Sequence, residues 1–206
     1  MELENIDGDC ISVISEYIPD YISFGMVSRQ FRDSWIGEKK TNMKLLKECM
    51  KNGNLEMVKY YTKNGCPRWK EHICRVTAHY GHLEMIKWAR SEGCLWDEYT
   101  CSYAAENGHL EVLKWARSKG CPWDENTCSY AAENGHLEVI KWARSEGCPW
   151  DEDVCTSAAY HGHLEVLKWA RSQGCPWNEE VCFYAARNGH LEVLKWAKSN
   201  GCPSRE

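Results

Sequence analysis

The sequence predicts an all-α fold, a helical-repeat solenoid of about six helix pairs with shortened loops, preceded by a small helical N-terminal segment. Three observations predict it. Gly-His-Leu-Glu recurs at Gly81, Gly108, Gly135, Gly162 and Gly189, a strict period of 27 residues. Lys-Trp-Ala keeps the same period at Lys87, Lys114, Lys141, Lys168 and Lys195. Within each copy, two short stretches with helical apolar spacing are separated by glycine-bearing breaks. A period of this size marks stacked units that bury their apolar faces only on neighbouring copies.

The elements follow in order. Residues 1–40 do not repeat, and residues 41–206 form the array. In front, residues 9–17 read as a helix carrying Cys10, Ile11, Val13, Ile14 and Tyr17, broken by Pro19-Asp20. Shorter helices are expected over 21–26 and 27–35. A degenerate copy opens at Gly53 as Gly-Asn-Leu-Glu, with one extra residue near Arg68 before the strict period begins.

The copy at 94–120 shows the logic of every later one. Asp97 is a good helix N-cap, because a carboxylate accepts from the free amides of the first turn. Glu98 adds charge at the positive end of the helix dipole. The first helix runs to Glu106 and stops at Asn107-Gly108, residues that tolerate left-handed backbone. A second helix follows over 109–118, with Leu110, Val112, Leu113, Trp115 and Ala116 on a broad apolar stripe. Gly120 ends it, and Cys121-Pro122-Trp123 turns into the next copy. Helices this short are marginal alone, so stacking must supply the stability. The paired tryptophans (Trp96 with Trp115, Trp123 with Trp142, Trp150 with Trp169, Trp177 with Trp196) are expected to be the core of that stack.

Charge and composition narrow the function. The net charge is −5, and basic residues alternate with Glu in each copy, so no nucleic-acid partner is expected. No run approaches the roughly 18 apolar residues of a membrane helix, and no membrane partner is expected. The acidic start lacks the basic and apolar regions of a signal peptide, which points to the cytoplasm or the nucleus. Thirteen cysteines are an odd number, and most are locked to the repeat. Cys101, Cys128, Cys155 and Cys182 form one equivalent set, and Cys94, Cys121, Cys148, Cys175 and Cys202 a second. Equivalent points on stacked helices lie about 8–10 Å apart, beyond the roughly 7 Å a disulfide allows, so bridging within a set is not expected. Reduced cysteines acting as small hydrophobes fit better. His82, His109, His136, His163 and His190 are iterated too, and no Cys-x-x-Cys pair accompanies them. Neither a metal, nor a cofactor, nor a catalytic centre is expected, since catalysis needs one asymmetric constellation in a pocket.

The segment Ala104-Ala105-Glu106-Asn107-Gly108-His109-Leu110-Glu111-Val112-Leu113-Lys114 resembles the Ala-Ala-x-x-Gly-His-Leu-Glu-Val-Val-Lys heart of ankyrin repeats. Ankyrin copies are usually about 33 residues, and here the piece that would form their protruding hairpin is missing between Trp123 and Asn126. The resemblance implies ankyrin-like helix pairs with trimmed loops, binding of a target protein, and no enzyme activity.

Comparison of the copies locates the working face. The position of Tyr99 becomes His72, Asn126, Asp153 and Glu180. That of Ser102 becomes Arg75, Ser129, Thr156 and Phe183, and that of Glu106 becomes His79, Glu133, Tyr160 and Arg187. Spacing of i, i+3, i+7 puts these on one helical side, away from the invariant Cys101, Ala104 and Ala105. Tyr99, Ser102, Glu106, Asn126, Asp153, Tyr160, Glu180, Phe183, Tyr184 and Arg187 are therefore the expected partner-binding residues. Phe183, Tyr184, Tyr160 and Arg187 would be the anchors, since aromatics and arginine dominate interfaces. The alternative is a solvated face whose residues drift freely.

In front, Ile6-Asp7, then 14–19, Phe24, 26–32 and Trp35 resemble an F-box. The resemblance implies docking on the Skp-type adaptor of a cullin–RING ubiquitin ligase through Ile6, Ile11, Ile14, Ile18 and Val27. The chain would then be the substrate-recognition subunit. Large DNA viruses and unicellular eukaryotes carry many proteins of this kind, so the compartment would be a host cell's if the chain is viral. The alternative is a helical cap for the first repeat, on a plain binding or sequestering scaffold. At the other end, Leu191, Val193, Leu194 and Trp196 belong to a helix like the internal ones. That face is expected to be partly exposed, covered by another copy of the chain, or continued in a longer protein.

Overall fold

The computed structural model describes residues 39–63 and 69–203. The front segment's adaptor candidates Ile6, Ile11, Ile14, Ile18 and Val27 lie outside the described residues. The chain divides into two compact units, and the description below concerns the second, from Leu46 onward.

Twelve helices and no strand occur among the described residues. They are α1 (Lys39–Lys51), α2 (Leu55–Lys63), α3 (Trp69–His79), α4 (Leu83–Ser91), α5 (Glu98–Glu106), α6 (Leu110–Ser118), α7 (Asn126–Glu133), α8 (Leu137–Ser145), α9 (Asp153–His161), α10 (Leu164–Ser172), α11 (Glu179–Arg187) and α12 (Leu191–Ser199). From α3 onward the odd-numbered helices are the first helices of successive copies, and they pack directly on one another. Each even-numbered helix packs chiefly on its own first helix. The first helices therefore form the closely spaced row of the stack.

Both helix ends in a copy use the same termination chemistry. At the end of α5, the Ala104 carbonyl accepts from the His109 amide at 2.8 Å and Ala105 from Gly108 at 3.1 Å. At the end of α6, Ala116 accepts from Cys121 at 3.0 Å and Arg117 from Gly120 at 2.9 Å. This Schellman pattern satisfies the orphan carbonyls, and it needs left-handed backbone at its glycine. Gly135 at φ +74° and Gly147 at φ +80° are the two such glycines of the next copy.

The core differs from the expected one. The fully enclosed side chains are Val112, Leu113, Ala116, Cys101, Ala104 and Ala105 and counterparts such as Ile140 and Leu167, with Val154 at the position of Thr100. The tryptophans are only half-buried. A helix pair this short leaves room between copies for aliphatics and small residues, and the indoles are displaced to one flank. There, Trp96 meets Trp115 edge to face at 5.9 Å between centroids, and the other three pairs repeat that geometry. An arginine from the preceding copy covers the first indole of each pair: Arg90 over Trp96 at 4.0 Å, Arg117 over Trp123, Arg144 over Trp150 and Arg171 over Trp177. The same guanidinium donates to a turn carbonyl, for instance Arg117 to Cys121 O. Cation–π contact and charge-assisted hydrogen bonding thus tie each copy to the next.

The iterated histidines have a structural task. His109 Nε2 donates to the His79 carbonyl at 3.0 Å, His163 to Glu133 at 3.0 Å and His190 to Tyr160 at 2.9 Å. Each reaches the last turn of the previous first helix, where carbonyls lack helical partners. A carbonyl can only accept, so Nε2 carries the proton. Burial holds the His109 pKa below its ordinary value, with further lowering from His79, His82 and His136.

The two cysteine sets meet each other. Cys101 neighbours Cys121, Cys128 neighbours Cys148, Cys155 neighbours Cys175 and Cys182 neighbours Cys202. The turn thiol donates to a carbonyl of the preceding copy, Cys175 Sγ to Asp151 O at 3.2 Å. All cysteines among the described residues are free thiols. The thiol partner and burial push the Cys121, Cys148 and Cys155 pKa values upward, and burial takes Cys202 to about 12. Bridging within a set is not expected from the sequence, and the structure adds the proximity between the two sets.

At the last described pair, α11 and α12, internal positions become open. Ala186 is exposed where Ala105, Ala132 and Ala159 are buried. Leu194 is half-buried where Leu113, Ile140 and Leu167 are fully covered. Leu191 is 60% exposed.

Candidate functional site

The row of first helices carries an aromatic strip along its outward side. It begins at His79, whose ring meets Tyr80 at 4.7 Å and Tyr103 at 6.0 Å. Tyr103 continues to Tyr99 at 6.1 Å. Tyr130 lies close enough to Tyr103, Tyr99, Glu106 and Glu133 that these raise its phenol pKa, after burial as the largest cause. Further on, Tyr160 meets Tyr184 at 5.4 Å, and Tyr184 meets Phe183 at 5.2 Å.

The expected partner-binding residues fall into three groups. Tyr99 at 42% exposed and Tyr160 at 44% stand on the strip, with Tyr184 half-buried beside them. Glu106, Asp153, Glu180 and Arg187 are also at the surface of this row. Asn126 is half-buried and donates to Asp124 Oδ2 at 2.8 Å, so it braces the first turn of α7.

Ser102 is a correction: it is buried. Its hydroxyl donates to Glu98 O at 3.1 Å and lies 3.4 Å from Thr127 Oγ1 across the joint between α5 and α7. A three-residue step from Tyr99 turns the side chain roughly 60° around the helix, enough to aim it into the neighbouring copy. Phe183 holds the same position in α11, and its 37% exposure reflects the lack of a described copy over it. Sequence comparison missed Tyr103 and Tyr130, one residue further on. Their signal was present, since that position varies as Val76, Tyr103, Tyr130, Ser157 and Tyr184.

Charge is segregated between the two rows. Across 97–107, 124–134, 151–161 and 178–188, the first-helix side carries eleven carboxylates and one arginine, Arg187. The matching second-helix stretches, 108–120, 135–147, 162–174 and 189–201, carry nine basic residues and five acidic ones. Those charges are largely engaged with each other or with indoles. Lys114 pairs with Glu111 at 2.9 Å, and Lys87, Lys141, Lys168 and Lys195 repeat the pattern. The acidic crowding on the first-helix row is reflected at Asp151, whose pKa is raised by burial and then by Asp153, Glu152 and Glu125.

One joint on this row is neutralised from within. Arg75 on α3 donates through Nε to Asp97 Oδ1 at 3.1 Å and through Nη2 to Oδ2, a two-pronged pair. Its guanidinium also lies 5.0 Å from the Tyr99 ring centre. At the following joints Ser102 and Ser129 replace the arginine, while Asp124 and Asp151 replace Asp97.

Among the described residues, no group of three or more His, Cys, Asp or Glu side chains could hold a metal ion. No described helix is long and apolar enough to cross a membrane. The geometry defines a helical-repeat solenoid. Residues 101–144, 128–171 and 155–197 each match the family described as ankyrin repeats (many copies), so residues 101–197 are ankyrin repeats. Ankyrin repeats are protein–protein interaction scaffolds and generally non-catalytic. The matched residues do not include the front segment. No curated protein matches the chain.

Proposed function

We propose that the chain grips a target protein on the first-helix row, through the strip centred on Tyr99, Tyr103, Tyr130 and Tyr160. The carrying observation is the segregation of tyrosines and of an excess of carboxylates onto this row. The opposite row spends its charges on Glu–Lys pairs and Arg–Trp contacts. Tyrosine supplies rigid contact area with a polar tip, which suits an interface. The test is site-specific photocrosslinking from position 103 or 130, with position 119 on the second-helix side as control. One dominant protein adduct from 103 and 130, absent from 119, is the expected result. Equal adducts from all three positions would remove the assignment of the face.

The finer reading is a substrate-recognition subunit acting by proximity in the cytoplasm or nucleus. It is supported by the F-box resemblance of the front segment, whose Ile6, Ile11, Ile14, Ile18 and Val27 would meet the Skp-type adaptor. Purified adaptor should be retained by the full chain and released by Ile14→Asp. Failure of the unmodified chain to retain adaptor leaves a binding or sequestering scaffold.

A further inference from the structure

We infer that the target's contacting segment is basic and extended, with arginines three residues apart that seat on Asp124 and Asp151. The inference rests on the first-helix row being the binding face. Its warrant is a comparison between joints of one molecule. At the joint between α3 and α5, Asp97 is filled from within by Arg75, whose guanidinium makes two hydrogen bonds to the carboxylate and lies beside the Tyr99 ring. At the next two joints the same carboxylate persists, but the arginine does not. Ser102 and Ser129 stand in its place, buried and too short to supply charge.

Asp124 and Asp151 are both half-buried and open to solvent on the row. Among the described residues no cation is paired with either. Asp124 receives the Asn126 amide at 2.8 Å and lies 3.5 Å from the Ser102 hydroxyl. Asp151 receives the Asp153 backbone amide at 3.1 Å. Asp153, Glu152 and Glu125 add negative charge around Asp151, while Glu106 and Glu133 elsewhere on the row each lie 3.9 Å from a histidine, His79 and His161. The ring that flanks Arg75 at the first joint, Tyr99, becomes Asn126 and Asp153 at these two. A guanidinium matches the carboxylate that persists, because its planar fork can donate two hydrogen bonds to it, as Arg75 does to Asp97.

The spacing follows from the stack. Neighbouring packed helices lie about 8–10 Å apart. An extended segment in the polyproline II conformation advances about 3.1 Å per residue with three residues per turn, so positions i and i+3 share one side, about 9 Å apart. Arginines at i and i+3 of an extended segment running along the row therefore meet successive joints.

The experiment uses the full chain and three synthetic peptides of equal length. One carries arginine at every third position, the second carries citrulline in its place, and the third has arginine at every second position. Calorimetry at low salt should show binding of the first peptide, at least tenfold tighter than the other two. Asp124→Asn with Asp151→Asn should weaken it by about tenfold or more, whereas Glu111→Gln with Glu138→Gln, the same charge change on the second-helix side, should leave it within about twofold. Thermal melts of both variants confirm folding. Equal affinity for the three peptides, or equal loss in both double variants, would overturn the inference. A photocrosslinked target at positions 103 and 130 whose contacting segment is neutral or acidic would overturn it too, while leaving the binding face intact.

Discussion

Replacing Gly135 by alanine tests how the copies are held together, with Gly147→Ala as its internal standard. Both glycines have positive φ, +74° and +80°. Left-handed backbone costs an alanine about 1–2 kcal/mol, partly offset by about 0.4–1 kcal/mol of lost unfolded-state freedom. That is the whole cost at Gly147, where an added Cβ meets nothing within 4 Å. At Gly135 the new Cβ would lie 2.7 Å from His163 Nδ1 and 2.9 Å from Cε1. Ordinary contact is about 3.5–4.0 Å, so the ring must retreat by about an ångström. The same ring holds the Glu133 carbonyl at 3.0 Å through Nε2. Retreat forfeits that bond, and an unsatisfied part-buried acceptor costs about 1–3 kcal/mol. Gly135→Ala should therefore lose about 2 kcal/mol more than Gly147→Ala. Urea unfolding followed by circular dichroism and tryptophan fluorescence reads this as a midpoint lower by about 1 M, for m near 2 kcal/mol/M. In a His163→Ala background the excess should vanish, since the colliding ring is gone. Equal midpoints for the two glycine variants, or an excess that survives removal of the ring, would refute the reasoning.

Two further predictions concern the other ties between copies. Arg117→Ala removes the contact over Trp123 and the bond to Cys121 O, and should cost about 1–2 kcal/mol, while exposed Lys119→Ala should cost close to zero. Urea midpoints of the two variants decide it, and matching values would count against the arginine tie. The thiol pairs predict alkaline sensitivity. Folded pKa values are raised, to about 12 at Cys202, so below about pH 8.5 folded and unfolded states both keep their protons and stability is complete. Above it the unfolded chain releases protons that the folded one retains, and stability falls as pH rises toward the folded values. Cys121→Ala should flatten the decline measured between pH 8.5 and 10, by at most about 1.4 kcal/mol per pH unit. An unchanged slope would show that this thiol titrates alike in both states.

Much of the fold was legible because the repeat makes each copy a comment on the others. The caps at Asn107-Gly108 and Gly120 follow from backbone chemistry alone and are met in the structure. Tyr99 and Tyr160 stand exposed on the first-helix row, as expected where variable positions at helical spacing identify an outward side. Ser102 failed the same test because variation also accumulates at joints between copies. There, Arg75, Ser102 and Phe183 are alternative fillings of one gap. Tyr103 and Tyr130 escaped because periodicity resolves a helical side only to within a residue. The indoles are expected in the core, whereas aliphatic and small side chains take the fully enclosed positions and arginines cover the indoles on the flank.

By itself the sequence determined the period, the helices and their ends, since these depend on contacts within a few residues. It also determined that the copies must stack, since no short helix pair can bury its apolar side alone. Only the tertiary structure decided which residues meet across copies: Arg75 with Asp97, His163 with the Glu133 carbonyl, and one cysteine set with the other. Those contacts join residues some 20 to 30 positions apart. Their partners are set by the rotation of one copy on the next, which residue spacing along the chain does not encode.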